Sequence, residues 1–189
     1  MSKMLSLTNH LLIATPSIQS PEFKHAVIYI CEHHEHGTIG LIINRPMEHS
    51  LRLVFEQLNI IPTHIEKNKA PLLFGGPIQP ERGFVIHRPF GQWHSSLLLL
   101  PNEVTITTSN DIIRAIADDK GPKDALITLG YVAWAEHQLE DEIIKQGSWL
   151  VVPFKPELLY DVPFEGRWEA AGLSIGVHMN ELILDAGHA

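Results

Sequence analysis

ALITLGYVAWAEHQLEDEIIKQGSWLVVP, residues 125–153, is the stretch whose reading decides the fold. It opens on a short apolar run, Ala125 to Leu129, which Gly130 ends. A tryptophan-bearing connection follows, then an acidic segment in which Leu139 and Ile143 stand four apart. Gly147 stops that segment, and a second apolar run goes from Trp149 to Val152. Short apolar runs bounded by glycine or proline predict strands, and the four-residue spacing predicts an amphipathic helix. The unit is therefore strand, loop, helix, strand. An indole, an amide and several carboxylates gather where the helix begins.

Outward from this unit, the N-terminal half reads as hairpins. His10 to Ala14 is an apolar run halted by Thr15-Pro16, and Ala26 to Cys31 is a buried strand rich in β-branched and aromatic residues. Glu32 to Gly37 is its turn and Thr38 to Ile43 the return strand, ended by Asn44-Arg45-Pro46. Ser50 caps a helix whose apolar positions are Leu51, Val54, Phe55 and Leu58. Leu72 to Phe74 is a short strand stopped by Gly75-Gly76-Pro77, and Gly83 to His87 is another, ended by Arg88-Pro89. Ser95 to Leu100 and Val104 to Thr107 form a further hairpin. Ser109 then caps a helix carrying Ile112, Ile113, Ile116 and Ala117 on one face. Beyond Pro153, Pro156 and Pro163 break the chain. A short helix around Phe164 to Ala171 buries Trp168, and the tail adds a strand or short helix. Hairpins early and alternation late predict one α+β domain over residues 1–189, with a mixed sheet and few helices.

The bulk chemistry narrows the partners. The formal charge is −8, from 14 basic and 22 acidic residues, with no dense basic cluster, so a phosphate backbone is disfavoured as a direct partner. With 1 cysteine, Cys31, the chain cannot form an internal disulfide. No window approaches a membrane span, and the first residues lack the pattern of a secretory leader, so the expectation is a cytoplasmic protein without a membrane partner.

Four constellations could carry chemistry. Gly172 to Gly176, GLSIG, matches the G-x-S-x-G nucleophile elbow, but that motif needs a strand before its serine and a helix after it, whereas a helical pattern precedes it here. His33, His34 and His36 lie in the predicted turn. On a regular strand His34 and His36 share one face, and His33 joins Cys31 on the other. No metal-ligand spacing accompanies them, and neither metal nor cofactor is expected. Along AEHQLEDEIIKQ, Glu136 and Glu140 share a face, as do His137 and Asp141; carboxylates so placed can do acid–base work or bind a hard cation, but the buried stripe of Leu139 and Ile143 opposite favours a solvated helix face. Finally, Gly75-Gly76-Pro77 could form a backbone anion nest, with Asn44 and Arg45 supplying an amide and a cation to a small acidic ligand.

Taken together, LLIATP, FKHAVIYICEHHEHGTIGLIINRP, FGGPIQPERGFVIH, ITTSNDIIRAIA, LGYVAWAEHQLEDEI and the tryptophan of SWLVVP resemble, in that order, the YqgE/AlgH family of small bacterial proteins. The resemblance spans nearly the whole chain. It implies an α+β fold with a mixed, bifurcated β-sheet curled into a pseudo-barrel with a few flanking helices, and it implies no known reaction. One member was labelled a transcriptional regulator, which makes action through a protein partner an alternative; direct DNA binding is not carried over. The chain departs from the family at VAWAEHQLE, where Ala133, Ala135 and His137 stand at glycine positions.

The expected function is a binding or regulatory module for a small acidic molecule or a protein partner. Its cleft is expected near Asn44, Arg45, Gly75, Gly76, His87, Trp134 and Gln138, because polar residues, glycines and a tryptophan fall at strand ends there. A different class, an acid–base enzyme or hydrolase, would pair His87 with Glu136 or Glu140 within hydrogen-bond reach.

Overall fold

The computed structural model describes residues 5–186. The first half contributes β1 (His10–Ala14), β2 (Val27–His34), β3 (Gly37–Ile42), β4 (Pro46–Ser50), α1 (Leu51–Gln57) and β5 (Pro71–Phe74). Next come β6 (Ile78–Arg88), β7 (Ser96–Leu100), β8 (Val104–Thr107) and α2 (Asp111–Ala117). The last part is β9 (Asp124–Ala135), α3 (Gln138–Ile144), β10 (Trp149–Pro153), α4 (Pro156–Tyr160), α5 (Arg167–Leu173) and α6 (Met179–Ala186). The fold is α+β. The main path of the sheet runs β10-β1-β2-β3-β9-β6-β8-β7, with β4 and β5 off that path.

β9 is the axis of this arrangement. Its first half pairs in parallel with β5 through Ile127, Thr128 and Leu129, and its second half pairs antiparallel with β3 from Val132 to Ala135. Most of its length pairs with β6. The sheet forks where β9 exchanges β5 for β3, at Gly130. There Gly75 N–H donates to Leu129 O at 2.7 Å, and Ile42 N–H donates to Gly75 O at 2.9 Å. A Cβ on Gly130, whose φ is +75°, would lie 2.1 Å from Gly76 O, and one on Gly76 would lie 2.1 Å from Tyr131 C. Three backbones meet too closely for side chains. The sequence reading ended the strand at Gly130; the glycine instead bends a continuous strand, and Trp134 is part of that strand.

The sheet curls until its edges approach. Asn9 Nδ2 donates to Leu99 O at 3.0 Å, drawing edge strand β7 toward the foot of β1, and Tyr160 OH donates to Glu103 O at 2.7 Å across the same gap. α4, α5 and α6 fill the gap with Leu158, Leu159, Trp168, Ala171 and Met179, which pack on the concave face against Tyr29, Leu41, Ile86 and Ile106. Two further cores lie on the outer face. One sits under α3 with Ile28, Ile30, Trp134 and Trp149, the other under α1 and α2 with Leu51, Phe55, Ile112 and Ile127.

Other boundaries move for local reasons. Pro46 begins β4 rather than closing a loop, and Pro156 occupies the first turn of α4, where its missing N–H costs nothing. Ser50 and Ser109 do not cap through their side chains; α2 follows Asn110, and Ser109 Oγ donates to Asp111 Oδ1 instead. The tail is helical, as α6.

Candidate functional site

The residues expected to share one hollow separate into three places. Asn44 Oδ1 accepts Val27 N–H at 2.9 Å and its Nδ2 donates to His25 O at 2.9 Å, so its amide ties the loop before β2 to the end of β3. Arg45 donates to Pro21 O and, at 2.7 Å, to Lys24 O of the same loop. Burial lowers the Arg45 pKa, opposed by the charge of Glu22. Gly75 and Gly76 lie close by, because Phe74 N–H donates to Arg45 O at 2.8 Å, but their amide neighbourhood is filled by β9 as described above. This first group is a fork of backbones and the loop it pins.

Trp134 and Gln138 form the second group. Trp134 Nε1 donates to Glu142 Oε2 at 3.0 Å, Trp149 Nε1 donates to the same oxygen at 2.8 Å, and Gln138 Nε2 donates to Glu142 Oε1 at 2.9 Å. The two indoles meet edge to face, centroids 5.9 Å apart, and are 5% and 4% exposed. Gly40 makes the room: a Cβ there would stand 2.5 Å from the Ile28 side chain and 3.5 Å from the Trp134 ring. Glu142, which the sequence reading did not single out, is the hub of this group.

His87 stands alone, fully buried on β6 opposite Ala125 at the start of β9. Its Nδ1 lies 3.0 Å from Pro89 O, an acceptor, so Nδ1 donates and Nε2 accepts the hydroxyl of Thr107 at 2.7 Å. Ser96 Oγ continues the chain at 2.7 Å from Thr107 Oγ1. Burial lowers the His87 pKa, against the pull of the Pro89 carbonyl. Glu136 and Glu140 follow the opposite end of β9, roughly 30 Å away at about 3.3 Å per strand residue, so the acid–base pairing with His87 does not form.

The remaining motifs resolve as structure. Cys31 is the extra residue of a β-bulge, where the β2–β3 register shifts between Ile30 and Glu32. The bulge inverts the expected alternation. Cys31 packs with the concave core, while His33 turns to the α3 side and places Nε2 2.9 Å from Glu140 Oε1, its Nδ1 accepting Leu7 N–H at 2.9 Å. His34 pairs with Glu32 at 2.8 Å on the exposed face. Among the described residues no group of His, Cys, Asp or Glu is arranged to hold a metal ion. The GLSIG serine sits at the end of α5 with its hydroxyl on Ala171 O at 2.7 Å, without the strand that an elbow requires.

The cleft lies elsewhere, at the open mouth of the curl, with a volume of about 430 Å³. Its walls are Ile39, Leu41, Phe84, Ile106 and Tyr131. Arg82, Glu32, His94 and Ser96 add polar groups. The thiol of Cys31 also faces it, its pKa raised by burial and by the nearby Glu32 charge. β6 alternation explains the lining: Arg82 and Phe84 project into this cleft, and Glu81, Gly83 and Val85 face a separate hollow on the outer side. Arg82 lies over the Phe84 ring, 5.2 Å from its centroid. Arg52 and Arg88 are engaged by carboxylates, whereas Arg82 has no carboxylate in ion-pair contact among the described residues. The period-2 pattern of PERGFV marks these positions once β6 is started at Ile78 rather than Gly83.

A forked, curled sheet closed by short helices, with an apolar cleft at its mouth, defines an α+β half-barrel. The chain belongs to the AlgH-like family, whose model matches residues 11–180. It is 64% identical to a UPF0301 protein of Legionella pneumophila strain Corby over 100% of both chains, and 44% identical to one of Chromobacterium violaceum over 98% of each. The solution structure of AlgH from Pseudomonas aeruginosa superimposes with a TM-score of 0.80 at 39% identity, covering 100% of this chain and 99% of that one. A crystal structure of a Corynebacterium diphtheriae protein shares the fold, with a TM-score of 0.66 at 21% identity over 91% and 88% of the two chains. Of the three departures from the family's glycines, two are ordinary strand positions, Ala133 and Ala135. The third, His137, holds the left-handed conformation at φ +59°, which glycine adopts without steric cost.

Proposed function

We propose that this chain is a cytoplasmic binding module whose cleft takes a small molecule with an apolar body and an acidic group. The observation that carries this reading is Arg82: a guanidinium with no carboxylate in ion-pair contact among the described residues, beside aromatic and aliphatic walls in a hollow of about 430 Å³. That size falls within the ordinary range of ligand pockets, about 300–1,000 Å³. An apolar body displaces water from Ile39, Leu41, Phe84 and Tyr131, and an anion meets Arg82, which presents a planar fork of donors. No helix among the described residues is long and apolar enough to cross a membrane.

The test uses two fluorescent probes of similar shape, anilinonaphthalene sulfonate, which is anionic, and phenylnaphthylamine, which is neutral. Both are titrated into folded protein at a temperature well below its melting transition. Arg82→Ala is expected to weaken the sulfonate about fivefold, the worth of a partly exposed ion pair, and to leave the neutral probe unchanged. Phe84→Ala weakens both. Equal effects of Arg82→Ala on the two probes, or binding that does not saturate, would remove the proposal.

A further inference from the structure

The outer side of β6 carries a second hollow, of about 240 Å³, between that strand and helices α1 and α2. It backs onto the cleft, since Phe84 and Thr108 border both. Its character is opposite. Its apolar floor is Val54, Leu58, Ile113 and Ile127. Its polar groups are the amides of Gln57 and Asn110, the hydroxyls of Thr107, Thr108 and Ser109, and one charged side chain, Glu81; no lysine or arginine lines it. Among the described residues Glu81 has no cationic side chain in ion-pair contact, unlike Glu56, Glu66 and Glu103. Adjacent residues of one strand thus present unlike charges to opposite faces, Glu81 outward and Arg82 inward.

Gly83 keeps the hollow open. It has no positive φ, and a Cβ there would meet only the Leu129 side chain, at 3.9 Å. This glycine is therefore not required by backbone geometry, in contrast to Gly76 and Gly130, and the space in front of it is accessible to another molecule. We propose that this hollow is a second binding site, for a small organic ammonium ion whose charge meets Glu81 and whose body lies on Val54, Leu58 and Ile113. Along β6 itself the two faces differ in sign, Glu81 at the hollow and Arg82 at the cleft, where Glu32 of β2 also stands.

Benzylammonium and its neutral counterpart benzyl alcohol are the probes, followed by methyl-resolved NMR of Val54, Leu58 and Ile113 in the full chain. Benzylammonium is expected to shift these methyls saturably and to bind more tightly than the alcohol. Glu81→Gln should weaken benzylammonium about fivefold and leave the alcohol unchanged. Gly83→Leu, which fills the hollow, should abolish both. Should that variant misfold, Glu81→Gln decides alone. Equal affinity of the two probes for the native chain, no effect of Glu81→Gln, or no saturable shift would overturn the site. Arg82→Ala should leave benzylammonium untouched, so failure here is distinct from failure of the cleft reading.

Discussion

Replacing Glu142 with alanine removes the carboxylate on which two buried indoles converge, and the cost can be worked from the structure. Trp134 and Trp149 each donate to Glu142 Oε2, and with 5% and 4% exposure neither ring has ready access to water. A buried donor left without an acceptor costs about 1–3 kcal/mol, so two orphaned N–H groups give about 2–6 kcal/mol. We expect about 3 kcal/mol, since α3 is short and its removal from the rings lets water approach one of them. Glu142→Gln separates the hydrogen bonds from the charge. Its amide oxygen still offers two lone pairs to the indoles, while its amide nitrogen replaces the oxygen that accepts Gln138 Nε2–H, so that exposed hydrogen bond is lost and the substitution should cost about 1 kcal/mol. The assay is equilibrium urea unfolding, with tryptophan fluorescence and circular dichroism as coincident probes. A double-mutant cycle with Trp134→Phe, which keeps an aromatic ring but has no N–H, should show coupling of about 1–2 kcal/mol. Equal losses for Glu142→Ala and Glu142→Gln, or coupling indistinguishable from zero, would refute the reasoning.

Two further outcomes follow from neighbouring residues. Burial would raise the Glu140 carboxyl, but its own backbone N–H and the His33 ring outweigh that and hold it below its ordinary value of 4.5. Because the unfolded carboxyl takes up its proton first as pH falls, this stabilisation is complete above the unfolded pKa and is lost through the lower folded one. The melting temperature of the native chain should therefore drop more steeply than that of Glu140→Gln from about pH 5 downward, and parallel curves would contradict it. His137→Gly relieves a left-handed residue, worth about 1–2 kcal/mol, against a loss of about 0.5–1 kcal/mol from the freer unfolded chain. The net is a stabilisation of about 0.5 kcal/mol, read as a rise of roughly 1–2 °C in melting temperature; a fall would show that the histidine ring makes a contact that offsets its backbone strain.

Much of the fold was legible because its strands are short apolar runs between strong breakers. β1, β3, β5, β8 and β10 stand within a residue or so of where the apolar runs place them. The failures share a cause. Gly130 reads locally as a stop, yet two strands compete for the same edge of β9, and a glycine is what allows that edge to change partners without interruption. Cys31 looks like one more apolar residue in a strand, and nothing in AVIYICEHH marks it as a bulge. Its effect is to turn His33 toward α3, where alternation had put it with Cys31. Bulges and forks are decided by which strand lies alongside, which a single chain read in order does not reveal.

The candidate site was less legible for a related reason. Asn44, Arg45, Gly75 and Gly76 are distinctive residues in distinctive short motifs, and distinctiveness suggested a ligand. Their chemistry is instead consumed within the chain: the amide and guanidinium bind backbone carbonyls and an N–H, and the glycines admit another backbone. Trp134 and Gln138 do meet, but through Glu142, two residues beyond the carboxylates that helix periodicity had paired. The residues that line the cleft, Ile39, Leu41, Arg82, Phe84, Ile106 and Tyr131, are of commonplace types on four strands. Only the curl of the sheet brings them opposite one another. A cleft assembled by curvature from ordinary side chains leaves little trace in any one stretch. The residues that set the curvature leave a strong one, because their substitution is restricted by contacts of backbone on backbone. Arg82 is the exception that joins the two: it neighbours a glycine in the stretch that carries the family resemblance, and among the described residues its charge has no carboxylate partner in the fold to consume it.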